Sequence, residues 1–150
     1  MSYSRRAEVK RALTVGAAVC ATALASAPCS ATSVTLQTVD LTDKGLSLEG
    51  GETTLYRVTN GRKVHCRIEA IHYGESGKSI YGFAFNPRLF SAVRREYRYN
   101  QAIYVNAPLK QWLASTDTLN TKEGSVTLPA AFREYRAYFD ARILANCLRS

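Results

Sequence analysis

Between Lys63 and Ala70 apolar and polar residues alternate strictly, Val64, Cys66, Ile68 and Ala70 against Lys63, His65, Arg67 and Glu69. A period of two marks a β-strand with one buried face, so Cys66 points into a core while His65, Arg67 and Glu69 point out of it. Thr53 to Thr59 and Arg62 to Tyr73 flank Asn60-Gly61, a pair that tolerates positive φ and predicts a hairpin turn. Upstream, Ser33 to Leu41 is β-branched and alternates with one slip of phase between Leu36 and Val39, which predicts a strand carrying a bulge. Gly50-Gly51 breaks the chain between these strands. Gly74-Glu75-Ser76-Gly77 predicts a turn into Ser79 to Phe85 (SIYGFAF), which is apolar on both faces and therefore central in the sheet.

After Phe85 the pattern changes. Asn86 with Pro87 reads as a helix start, and Leu89, Phe90, Val93 and Tyr97 then fall on one side of a helix running to about Arg98. Its opposite face carries Arg88, Arg95 and Arg98. Asn100 ends that helix, Gln101 to Val105 returns as a strand, and a short helix through Trp112 leads into a loop. Pro129 opens a final helix of about twenty residues on which Phe132, Tyr135, Phe139, Ile143 and Cys147 recur at helical spacing. The expected fold class is α+β: an antiparallel β-meander or OB-like small barrel, with one helix after the fourth strand and a C-terminal helix.

The first residues follow another logic. Arg5, Arg6, Lys10 and Arg11 precede an uncharged run from Ala12 to Ala25, and small residues follow in SAPCSATS. This is the order of a cleavable signal peptide. The uncharged run is shorter than the roughly 20 residues that span a bilayer, so no stable membrane anchor is expected after cleavage. Ser4-Arg5-Arg6 also resembles a twin-arginine export motif, with Glu8 where an aromatic is usual. The expected organisation is a signal peptide over residues 1–31 and one exported domain, secreted or periplasmic, over 32–150.

Export changes the reading of the cysteines. Beyond residue 31 only Cys66 and Cys147 remain, both at core-facing positions, and an oxidising compartment favours their bridging. Such a bridge would tie the last helix to the sheet. The same 119 residues hold 16 Lys and Arg against 11 Asp and Glu. That excess is spread along the chain and lacks the clustering of a nucleic-acid binder, so nucleic acid is not an expected partner.

Several motifs fail on their chemistry. Gly77-Lys78-Ser79 ends like a phosphate-binding loop, but His72 stands where that motif needs its first glycine, and a strand follows where it needs a helix. His65 and Glu69 share a strand face about 13 Å apart, and His72 falls on the opposite face. They therefore cannot share a metal ion, and no metal or cofactor is expected. His65, Arg67 and Glu69 could serve a small ribonuclease as base, phosphate clamp and acid, which is the best catalytic reading. Nine Tyr and one Trp instead point to a binding surface, since aromatics with arginine serve sugar and protein recognition. The ligand-binding candidates are His65, Arg67, Glu69 and Trp112; the partner-docking candidates are Arg88, Arg95 and Arg98.

Three stretches also carry a resemblance: Val64-His65-Cys66-Arg67-Ile68-Glu69, Leu89 to Tyr99, and Asn100 to Val105. From Thr53 to Trp112 the order of elements resembles the B subunits of bacterial AB toxins of the subtilase cytotoxin and pertussis toxin group. The resemblance implies a small exported OB-fold that assembles in fives and binds host glycans. The cysteine spacing and the long final helix depart from that group, and no glycan-contacting residue is carried over. The expectation is a non-enzymatic binding module for a glycan or another protein, possible as a homo-oligomer. A periplasmic inhibitor or immunity-type protein is the alternative.

Overall fold

A computed structural model describes residues 31–44, 49–106 and 108–149; the signal-peptide reading falls on residues outside that description. Six strands form one antiparallel sheet in chain order: β1 (Thr32–Asp40), β2 (Gly51–Asn60), β3 (Lys63–Gly74), β4 (Gly77–Phe85), β5 (Leu89–Tyr99) and β6 (Gln111–Thr118). Two helices, α1 (Gly124–Ala137) and α2 (Ala141–Leu148), complete it. The α+β meander is as expected, and the sheet is open, with β1 and β6 as its edges.

The β2–β3 hairpin sits one residue later than expected. Asn60 pairs with Lys63, so the turn residues are Gly61 and Arg62. Gly61 takes φ 60°, the positive value that a first turn residue needs in a type II′ hairpin. The β1 bulge lies between Thr35 and Gln37 and turns Leu36 toward the core. β3 alternates as expected, with Cys66, Ile68 and Ala70 buried between half-exposed neighbours.

The segment after Phe85 is a strand where a helix was expected. Asn86 caps nothing: its backbone N–H donates to the Arg88 carbonyl at 3.1 Å and its side chain donates to the Val64 carbonyl at 2.7 Å, closing a tight β4–β5 turn. β5 then pairs with the apolar β4 along nearly its whole length. Trp112, expected in a short helix, lies in β6, and residues 101–105, expected as a strand, belong to the β5–β6 loop. The final helix is two helices. α1 begins five residues before Pro129, and Asp140 starts α2 by accepting from the Arg142 and Ile143 amides at 2.7 and 3.3 Å, an N-cap of ordinary kind.

Both helices cover one face of the sheet. Leu55, Ile68, Ala70, Phe83, Phe85 and Ala92 from the strands bury against Leu128, Phe132, Tyr135 and Phe139. Phe85 and Phe132 stand 5.0 Å apart between ring centroids, and Phe83 and Tyr135 5.7 Å, spacings at which aromatic pairs attract beyond their area burial. Gly124 starts α1 against the end of β6, where a Cβ would lie 2.1 Å from the Thr118 carbonyl oxygen; only glycine fits. Cys66 and Cys147 are fully buried and bonded, their Cα atoms 6.0 Å apart, so α2 is covalently held to β3.

Candidate functional site

The strand register assigns the second face. Opposite the helices, β3 presents His65, Arg67, Glu69 and Ile71; β4 presents Lys78, Ile80, Gly82 and Ala84; and β5 presents Ser91, Val93, Arg95 and Tyr97. No described element covers this face. A row of small residues runs down its middle, because Gly82 lies opposite both Glu69 and Val93, and Ala84 opposite both Arg67 and Ser91.

Larger side chains on the flanking strands turn that row into a groove of about 220 Å³. Arg67 and Glu69 form one wall, Val93 and Arg95 the other, and Ile80 closes one end. A Cβ on Gly82 would come 3.3 Å from Val93 Cγ1, so the groove exists because position 82 has no side chain. A glycine inside a strand weakens it and often marks a close approach by a ligand or another backbone.

The groove's polar groups are unequal. Arg67 Nε lies 3.4 Å from Glu69 Oε1, and its guanidinium sits 5.0 Å from the centroid of the Tyr56 ring, a cation–π contact. Arg67 Nε is also buried with no hydrogen bond of acceptable geometry. Arg95, exposed across the groove, has no hydrogen bond or ion pair among the described residues. The groove therefore offers one oriented guanidinium, one unpaired guanidinium, a carboxylate and the Ser91 hydroxyl above an apolar floor.

His65 lies on the same face, nearer the β2–β3 turn, with its ring edge-on to Phe90 at 5.6 Å. Thus His65, Arg67 and Glu69 share one face of β3, as their alternation predicts, and Arg95 lies on the same face from the next strand but one. Trp112 does not: it pairs with Arg98 at the far end of β5, on the sheet's other side. The aligned stripe of Arg88, Arg95 and Arg98 is lost with the helix. Arg88 lies in the β4–β5 turn, Arg95 faces the groove, and Arg98 faces the helix side beyond the helices. Gly82 and Ala84 were not expected in a site, although two small residues inside an otherwise bulky strand were a visible signal.

The helix side carries two polar features. Arg94 reaches Asp117 at 2.8 Å and Glu123 at 3.0 Å, tying β5, β6 and the start of α1. His72 Nε2 is hydrogen-bonded to the Tyr135 hydroxyl. Burial holds the Tyr135 hydroxyl far above the usual phenol range, helped by Tyr81 and Glu134, and burial lowers the His72 pKa against the opposing pull of Glu134. Each shift favours the uncharged form, so Tyr135 donates to a neutral imidazole. This pair is a satisfied part of the core. Among the described residues no three His, Cys, Asp or Glu side chains are grouped to hold a metal, and no helix is long and apolar enough to cross a membrane. No family model, curated protein or solved structure matches this chain.

Proposed function

We propose that the chain is an exported, non-enzymatic binding module that takes its ligand on the open face of the sheet, over Gly82 and Ala84. The observation that carries this reading is the groove itself. Its floor is made by a glycine in a central strand, and its rim bears a cation with no partner. A volume near 220 Å³ is smaller than a drug-sized pocket of roughly 300 Å³ or more, which suits one sugar ring of a larger ligand. The two guanidiniums favour a ring bearing a carboxylate, since Arg presents paired donors to such a group. An acidic glycan is thus the favoured ligand.

His65 and Glu69 take no catalytic role here. Arg67 stands between them and engages Glu69, while the His65 ring rests against Phe90, so neither is poised as the other's acid or base. The five-membered toxin-subunit reading needs a closed OB-like barrel and a ring of subunits, and the open-face reading needs neither.

Array binding is the test. The protein should bind glycans ending in a uronic or other carboxylated sugar in preference to neutral ones. Gly82→Val, which fills the groove, should remove that binding while leaving the fold intact. Equal binding by Gly82→Val, or none by the wild type, would contradict the reading.

A further inference from the structure

β6 is a thinly protected edge strand. Its residues Gln111 to Thr116 are all exposed, Trp112 and Leu113 each by about half, and the strand contains neither proline nor lysine. Apolar edges of this kind recruit another strand unless they are blunted. The Lys110 carbonyl accepts from the Asn100 amide at 3.1 Å, so antiparallel alternation turns the backbone groups of Gln111, Leu113 and Thr116 outward, the count passing over the bulged residue Ala114. Thr118 closes this edge, because its carbonyl and its N–H are taken by Thr121 at 3.0 and 3.3 Å. At the other end the β5–β6 loop turns inward over the sheet, where the Ile103 N–H donates to the Glu75 carbonyl at 3.1 Å.

Charge is divided along the edge. Residues 97–113 carry Arg98 and Lys110 and no acidic residue. On the helix side of the other half, Glu96, Asp117 and Glu123 surround the single guanidinium of Arg94. Lys122 in the next turn offsets one carboxylate and Arg95 lies on the opposite face, so that end stays net negative. An antiparallel second copy sets each end against its opposite. We propose that β6 pairs with β6 of a second copy of this chain about a two-fold axis, with Lys110 opposite Asp117, Gln111 opposite Thr116, Trp112 opposite Ser115 and Leu113 opposite Ala114. This register keeps Lys110, Trp112, Ser115 and Asp117 on the helix side and Gln111 and Thr116 on the open side. It also joins the outward backbone groups of Gln111 and Thr116. Sliding by one residue would mix the faces. Sliding by two would set Gln111 against the occupied Thr118, or Trp112 against Leu113, which face opposite ways. The pairing is self-complementary and closes at two copies. Both grooves then lie on one side of a continuous sheet, where a polymer with repeated acidic groups would meet two of them; that consequence rests on the glycan reading, whereas the pairing does not.

Light scattering and cross-linking test the pairing. The protein should be a dimer at high micromolar concentration. T116P removes an N–H that faces away from β5, a place where an edge strand accepts proline, and it should weaken the dimer by about 30-fold through two lost hydrogen bonds while near-UV circular dichroism stays native. K110E should weaken it several-fold, and less so at high salt. Q111C/T116C should form a covalent dimer on oxidation, since facing Cα atoms in a hydrogen-bonded pair stand about 5.5 Å apart and the two positions lie about 16 Å apart within one strand. Q111C or T116C alone should not. A chain that stays monomeric, a dimer indifferent to T116P, assemblies that grow beyond two, or single cysteines that cross-link as well as the pair would each overturn the proposal.

Discussion

His72 shows how a single residue can report on the whole fold. Its imidazole is half-buried and accepts from Tyr135, whose hydroxyl burial keeps protonated. Burial lowers the His72 pKa below the ordinary 6.5, with Glu134 opposing. In the unfolded chain the imidazole takes up its proton as pH falls through about 6.5; in the folded chain uptake waits for a lower pH. Over that window the unfolded state binds more protons, so stability falls with falling pH and levels off once both states are protonated. Urea unfolding from pH 7.5 to 5 should show this decline. His72→Gln, which cannot titrate, should flatten it; an undiminished slope in that variant would assign the effect elsewhere.

At the scale of elements, the disulfide and the β5 strand show what could and could not be read from residues. The bridge was legible because only two cysteines remain after residue 31, and each falls on an apolar stripe whose period is clear. It closes a separation of 81 residues, for which chain entropy gives stabilisation on the order of 4 kcal/mol. Removing it as C66A/C147A should lower the free energy of unfolding by roughly 2 to 5 kcal/mol, with a matching drop in urea midpoint. A change well below that range would mean that α2 is held by packing alone.

The strand at Leu89–Tyr99 was hidden by its own chemistry. Arg94 and Glu96 occupy helix-side positions where alternation would put apolar residues, and Arg94 is acceptable there because Asp117 and Glu123 neutralise it. A bulge beside Phe85 and Leu89 shifts the phase again. What remained visible was Leu89, Phe90, Val93 and Tyr97, which fit a helix as well. The final helix was over-extended for the converse reason. The apolar spacing runs on across Tyr138–Asp140, although Asp140 is a residue type that commonly starts a helix. The groove escaped because it is defined by missing side chains, and a pattern of apolar positions does not register Gly82 and Ala84 as a hollow.

For the molecule as a whole, the helices and the disulfide secure one face of a six-stranded sheet and leave the other open. That asymmetry separates structural from functional chemistry. The satisfied polar groups, His72 with Tyr135 and Arg94 with its two carboxylates, lie on the covered side. The unpaired Arg95 and the strand glycine at position 82 lie on the open side.

The central claim is that the open face receives a carboxylated sugar, and amide chemical shifts measured while glucuronic acid is titrated into the protein test it most directly. Affinity for a single ring is expected in the millimolar range, about 4 kcal/mol. Shifts should concentrate at Arg67, Glu69, Gly82, Ala84, Ser91, Val93 and Arg95 and be absent in Gly82→Val. Shifts confined to the helix side, or none at millimolar sugar, would contradict the account.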